Sequence, residues 1–157
     1  MSPERLLALV LAHSPGFAEP VGGGRPTWTV LEAAWGCAGF DNDALSAFLY
    51  RYTRDQGAGR AVRRVLWSEA LRLSQRERWP LLIDGRPYLS DLVHIVMVEE
   101  TMSELQRDRL LRLLKFDWGE AIWDRMLAPK HRAIGAVLDR LCTDAHEHIA
   151  RRIRDDE

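Results

Sequence analysis

The sequence predicts an all-α protein, a compact multi-helix domain with a flexible N-terminal loop. Apolar residues recur at i, i+3, i+4, i+7 through most of the chain, as in Leu45, Phe48, Leu49 and Tyr52. Capping residues and Pro or Gly breakers separate these runs at helix-length intervals. The one hairpin-type turn, Asp84-Gly85, has Pro80 and Pro87 nearby, which limit any strand beside it. With 157 residues, 46% of them hydrophobic, a chain of this size buries roughly 70% of the surface its unfolded form exposes and needs no metal or disulfide to hold it.

Ser2-Pro3-Glu4 supplies an N-cap, a first-turn proline and a first-turn acid for a short helix through Ala12. Residues 13–27 (HSPGFAEPVGGGRPT) are too rich in Pro and Gly for a packed helix or central strand and read as a loop. The Gly22–Gly24 run lacks the Lys-Ser/Thr and the preceding strand of a nucleotide loop. Residues 1–27 are therefore an N-terminal helix and loop, and residues 28–157 the helical domain. Thr27 or Thr29 caps a helix with Val30, Leu31, Ala34 and Trp35, which stops at Gly36–Gly39, and Asp41 caps the next. Gln56-Gly57-Ala58-Gly59 breaks that helix. A helix with a basic polar side follows over Arg60–Leu73, carrying Val62, Val65 and Leu66. Asp84-Gly85 makes a loop or a tiny hairpin.

Ser90 caps a helix over Asp91–Glu100. Its β-branched Val93, Ile95, Val96 and Val98 also suit a strand, but the cap and the absence of strand neighbours favour helix. Thr101-x-x-Glu104 has capping-box spacing ahead of a leucine helix through Leu114. Trp118–Leu127 forms another helix, ended by Ala128-Pro129. The last runs from Lys130 past Ile149, and the acids Asp155-Asp156-Glu157 oppose the helix dipole, so its end frays.

The net charge of −1 is a cancellation: residues 1–50 carry −3, residues 51–86 carry +5 and residues 87–157 carry −3. Of the 22 cationic residues only Lys115 and Lys130 are lysine. Arg60, Arg63 and Arg64 on the basic helix are candidate DNA-binding residues, because a planar guanidinium pairs bidentately with phosphate or guanine. A solvated helix face with arginines set by a GC-rich genome accounts for the same residues. Among the six tryptophans, Trp67 and Trp79 lie among arginines and are placed to stack on bases, while the other four read as core fillers.

No catalytic residue, cofactor or metal is expected. Cys142 and His146 share a helix face with His148 nearby, but no second ligand pair completes the four that structural zinc uses. Cys37, in a turn of small residues, has no readable histidine or carboxylate partner. Glu99 and Glu100 point about 100° apart on a helix and read as solvated charges. Two cysteines fit a reducing cytoplasm. The run from Leu6 to Ala12 is too short for a signal peptide, and no stretch approaches the roughly 20 apolar residues that span a bilayer. The expected location is cytoplasmic, without membrane contact.

From Glu104 the chain reads ELQRDRLLRLLKFDWGEAIWDRMLAPKHRAIGAVLDRLCTDAHEHIARRI. An arginine-flanked leucine helix leads to Trp118-Gly119, a short helix with Ile122 and Leu127, a turn, and a long helix with Ile134, Val137, Leu138 and Leu141. This order resembles the sigma-region-4 type of helix-turn-helix and is similar to the C-terminal part of small phage late-gene regulators, including antitermination proteins of the Q type. The resemblance covers residues 104–153. It implies that Trp118 starts the scaffold helix, that Ile122 and Trp123 pack inward, and that the helix after the turn at Leu127–Lys130 enters the major groove. Lys130, His131 and Arg132 would then face DNA. The same apolar spacing also describes an antiparallel helical pair that packs the core.

The resemblance implies a non-catalytic, phage or prophage-type transcription regulator that binds double-stranded DNA and RNA polymerase or another protein. The alternative is a helical protein–protein interaction module, an inhibitor or adaptor without nucleic-acid contact. Tryptophan and arginine, which dominate binding hot spots, serve that role equally well.

Overall fold

A computed structural model of the chain describes residues 42–54 and 56–155. The expected N-terminal helix, the 13–27 loop, the helix near Trp35, the turn holding Cys37 and the Asp41 cap lie outside these residues. The described chain is helical apart from short connections: α1 (Asn42–Thr53), α2 (Gln56–Arg76), α3 (Leu89–Glu99), α4 (Glu104–Trp118), α5 (Glu120–Ile122), a π-helical turn (Trp123–Leu127) and α6 (Ala128–Asp155). Its residues fall into two compact units, one drawn from Met1–Val62 with Arg140–Glu157 and the other from Arg63–Asp139.

In the first unit, Ala44, Phe48 and Leu49 of α1 form one buried cluster with Ala58 of α2 and with Ala145 and Ile149 of α6. The break expected at residues 56–59 is absent, because α2 begins at Gln56 and the interruption falls at Arg54, whose φ is 58°. Burial explains the difference. Ala58, Val62, Leu66 and Ala70 make an i, i+4 stripe, each at most 5% exposed, and Ala58 is its first member. Gly59 serves close packing: a Cβ there would lie 3.1 Å from the Tyr50 ring, so the missing side chain makes room for an aromatic.

In the second unit, Ile83 and Arg86 exchange both backbone hydrogen bonds at 3.0 Å around Asp84 (φ 53°) and Gly85 (φ 70°). Two successive positive φ values are the geometry that Asp-Gly favours in a tight hairpin, so the expected tiny hairpin forms. It buries Ile83 and extends Arg86, whose guanidinium lies 3.8 Å from the Trp118 ring centre and donates to Asp117 Oδ2 at 3.0 Å. α3 is helical, with Leu92, Val93, Ile95, Val96 and Met97 buried. Ser90 does not cap it. The helix starts at Leu89 without a side-chain cap, and its start is held by the buried Tyr88, whose hydroxyl donates to the Pro80 carbonyl at 2.5 Å.

The capping box of α4 also lies two residues later than expected. Ser103 Oγ accepts from the Gln106 amide at 3.3 Å and Gln106 Oε1 accepts from the Ser103 amide at 2.9 Å. Thr101 instead donates to the Val98 carbonyl at the end of α3. Both Thr-x-x-Glu and Ser-x-x-Gln have the right spacing; the tertiary path selects the second.

Burial pushes the Tyr88 phenol above its ordinary 10.0. Above that pH the unfolded chain loses this proton first, so stability falls as pH rises through the window above 10. Tyr88→Phe is expected to cost about 1 kcal/mol at neutral pH through the lost hydrogen bond. It is also expected to show a smaller loss in urea midpoint between pH 8 and pH 11 than the parent. An equal loss in both proteins would contradict the assignment.

The turn expected at Leu127–Lys130 is helical. Trp118 is the last residue of α4 and not the first of a scaffold helix, and the chain breaks at Gly119 (φ 89°). From Glu120 the backbone stays in helical geometry through α5 and the π turn into α6. Proline in a helix lacks an amide proton and clashes with the carbonyl four residues back. The helix is widened immediately before Pro129, where the Ala128 amide bonds five residues back to Trp123, and Lys130 Nζ donates to the Met126 carbonyl at 2.9 Å. Ile134, Leu138, Cys142, Ala145 and Ile149 then form a buried stripe along α6.

Candidate functional site

The sequence-predicted site residues separate into an exposed group and an engaged group. On α2, Arg60, Arg63 and Arg64 are all exposed. Arg60, Arg64, Trp67 and Leu71 are spaced to share one helical stripe, where Trp67 and Leu71 are each 39% exposed. Arg63 lies at its flank and donates to His94 Nδ1 at 3.2 Å, which makes that ring nitrogen the acceptor.

Lys130, His131 and Arg132 stand inside a continuous helix, and only Arg132 is exposed. Besides its bond to Met126, the Lys130 ammonium lies 5.6 Å from the Trp79 ring centre. Burial holds it below its ordinary 10.5. Lys130 and Trp79 share a small hollow of about 270 Å³ with Leu73 and Pro129. His131 pairs through Nε2 with the Glu99 carboxylate and lies 5.9 Å, centre to centre, from the Trp123 ring. The Glu99 carbonyl accepts from Arg107 Nε at 3.0 Å. Glu99 is therefore a junction between α3, α4 and α6, not the solvated charge its acidic neighbour suggested. No local pattern reveals a pair 32 residues apart.

Beside this junction lies a cleft of about 350 Å³, with Ile95, Leu110, Leu111, Leu114 and Trp123 on its apolar walls. Lys115 reaches Asp124 across it at 3.6 Å. The lining of the cleft contains no Ser, Thr or Cys, its ionisable groups being Glu99, Arg107, Asp108, Lys115, Asp124, His131 and Arg132, and among the described residues no group of three or more His, Cys, Asp or Glu could hold a metal ion. Cys142 is buried in the first unit.

α4 has two unlike faces. One lines the cleft through Arg107, Leu110, Leu111 and Leu114. The opposite stripe carries Leu105, Arg109, Arg112, Leu113 and Phe116, all exposed. Leu105 is 59%, Leu113 66% and Phe116 91% exposed, while Trp118 is the one buried residue of the helix. Sequence periodicity marked these leucines as helical but could not say that one set faces solvent.

No described helix is long and apolar enough to cross a membrane. No family model matches the chain, and no significant match was found among curated proteins or solved structures.

Proposed function

We propose that the protein is a non-catalytic helical interaction module that docks another protein on the outer stripe of α4. The observation that carries this reading is the exposure of Leu105, Leu113 and Phe116 on one face. Fully burying such a side chain against a partner contributes about 1.5–3 kcal/mol, and Phe116 with Arg109 and Arg112 beside it brings aromatic and arginine side chains, which are enriched at protein–protein interfaces. The triple variant Leu105→Ser, Leu113→Ser, Phe116→Ser is expected to keep its helical circular dichroism and its melting temperature. It is expected to lose the partner that the parent retains in co-purification from the native host. A large drop in melting temperature would instead make these residues part of the fold.

A second reading is a phage or prophage-type transcription regulator in the cytoplasm that binds double-stranded DNA and RNA polymerase. It is supported by the exposed Arg60, Arg64 and Trp67 stripe of α2. It ranks second because Lys130 and His131, expected to read bases from a helix start, are engaged within the protein. If the arginines bind duplex, Arg60→Glu, Arg63→Glu, Arg64→Glu should weaken binding and flatten its dependence on log salt by about three slope units, near one per lost phosphate contact. Unchanged binding would remove the arginines from the interface.

A further inference from the structure

We infer that the outer stripe of α4 selects an acidic amphipathic segment of a partner, one that sets large apolar residues among carboxylates. The inference rests on the interaction-module reading and goes further by naming what the stripe recognises. Within the stripe, Arg109 and Arg112 are spaced between Leu105, Leu113 and Phe116, and no acid shares this sector of the helix. Both arginines are exposed and have no hydrogen-bond or ion-pair partner among the described residues. The other cations of α4 behave differently: Arg107 donates to the Glu99 carbonyl, and Lys115 pairs with Asp124. The stripe therefore offers an apolar surface with two unpaired guanidinium forks, whose planar geometry matches carboxylates bidentately.

The surroundings limit the width of the occupant. Glu104 and Asp108 stand along one border of the stripe and Glu120 lies just beyond the helix end, while Asp117 on the other border is paired with Arg86. A broad anionic surface such as a bilayer would meet these carboxylates, with like-charge repulsion. A single helix or extended peptide seats between them and meets only the arginines. Electrostatic complementarity of this kind sets selectivity and the salt dependence of association, while the apolar residues supply affinity.

The test is selection of a displayed library of random 16-residue peptides on the immobilised full-length protein, with the Arg109→Glu, Arg112→Glu variant and the Leu113→Ser, Phe116→Ser variant as parallel targets. The expected result is enrichment of peptides with net negative charge and several large apolar residues. These peptides should bind the charge-reversed variant about 10-fold more weakly, the size expected for two exposed charge pairs, and should not bind the serine variant. Peptides that need Leu113 and Phe116 but show no preference for acids would overturn this inference and leave the interaction-module reading standing. No enrichment that depends on Leu113 and Phe116 would overturn both. Binding of the parent to phosphatidylglycerol vesicles, lost in the serine variant and stronger than any selected peptide, would overturn the inference in favour of a lipid surface.

Discussion

Replacing Trp123 with alanine is expected to lower the stability of the protein by about 3–5 kcal/mol, the usual cost of truncating a buried aromatic. Trp123 is 2% exposed and opens the π turn, its carbonyl accepts the Ala128 amide, and its ring lies beside His131. Its removal strips the wall of the cleft and the apolar neighbour of the Glu99–His131 pair together. The contrast with Phe116 is the informative part. Phe116 is also a large aromatic hydrophobe, on α4, but is 91% exposed, so Phe116→Ala should change stability by no more than about 0.5 kcal/mol. Urea denaturation of the two variants measures both values. Equal losses would mean that the outer stripe of α4 is covered within the fold.

Phe48→Ala is expected to cost a similar 3–5 kcal/mol in the other unit. Phe48 is fully buried, with its ring centre 4.8 Å from that of Tyr52 at an interplanar angle of 53°. The cluster around it includes Ala44, Ala58 and Ala145. Small side chains cannot reorient to fill the vacated volume, so most of the cavity should persist and its full cost be felt. A loss under about 1.5 kcal/mol would show that α1, α2 and α6 collapse into the space, as cores do when substitutions are tolerated.

Residues whose burial follows from local spacing were legible in the sequence. Phe48 and Leu49 on α1 are buried, as are Val62 and Leu66 on α2 and Ile134, Val137 and Leu138 on α6. The Asp84-Gly85 hairpin was legible because its turn chemistry is local. Structure and sequence pattern part where a residue type carries two meanings. Gly57 and Gly59 read as breakers, yet Gly59 admits the Tyr50 ring within a helix. Pro129 read as a terminator, yet the helix runs on from the widened turn before it into α6. That continuity also removes the turn on which the placement of Lys130, His131 and Arg132 at a DNA-reading helix start depended.

The candidate site was less legible than the fold. Arg60, Arg63 and Arg64 are exposed, as a basic helical face suggests, but the stripe of Leu105, Leu113 and Phe116 was not separable from core leucines. The reason is physical: α4 carries leucines on both faces, and only the tertiary arrangement decides which face is covered. Glu99 and His131 meet across 32 positions of chain, a distance at which spacing carries no information.

A benzoylphenylalanine photocrosslinker at position 116, installed in the full-length protein in its native host, tests the claim that the outer stripe of α4 docks a protein. A discrete protein adduct is expected on illumination, and it should disappear when Leu105→Ser and Leu113→Ser are added although the protein remains folded. The claim is contradicted if position 116 yields no protein adduct while the same crosslinker at position 64 joins the chain to nucleic acid.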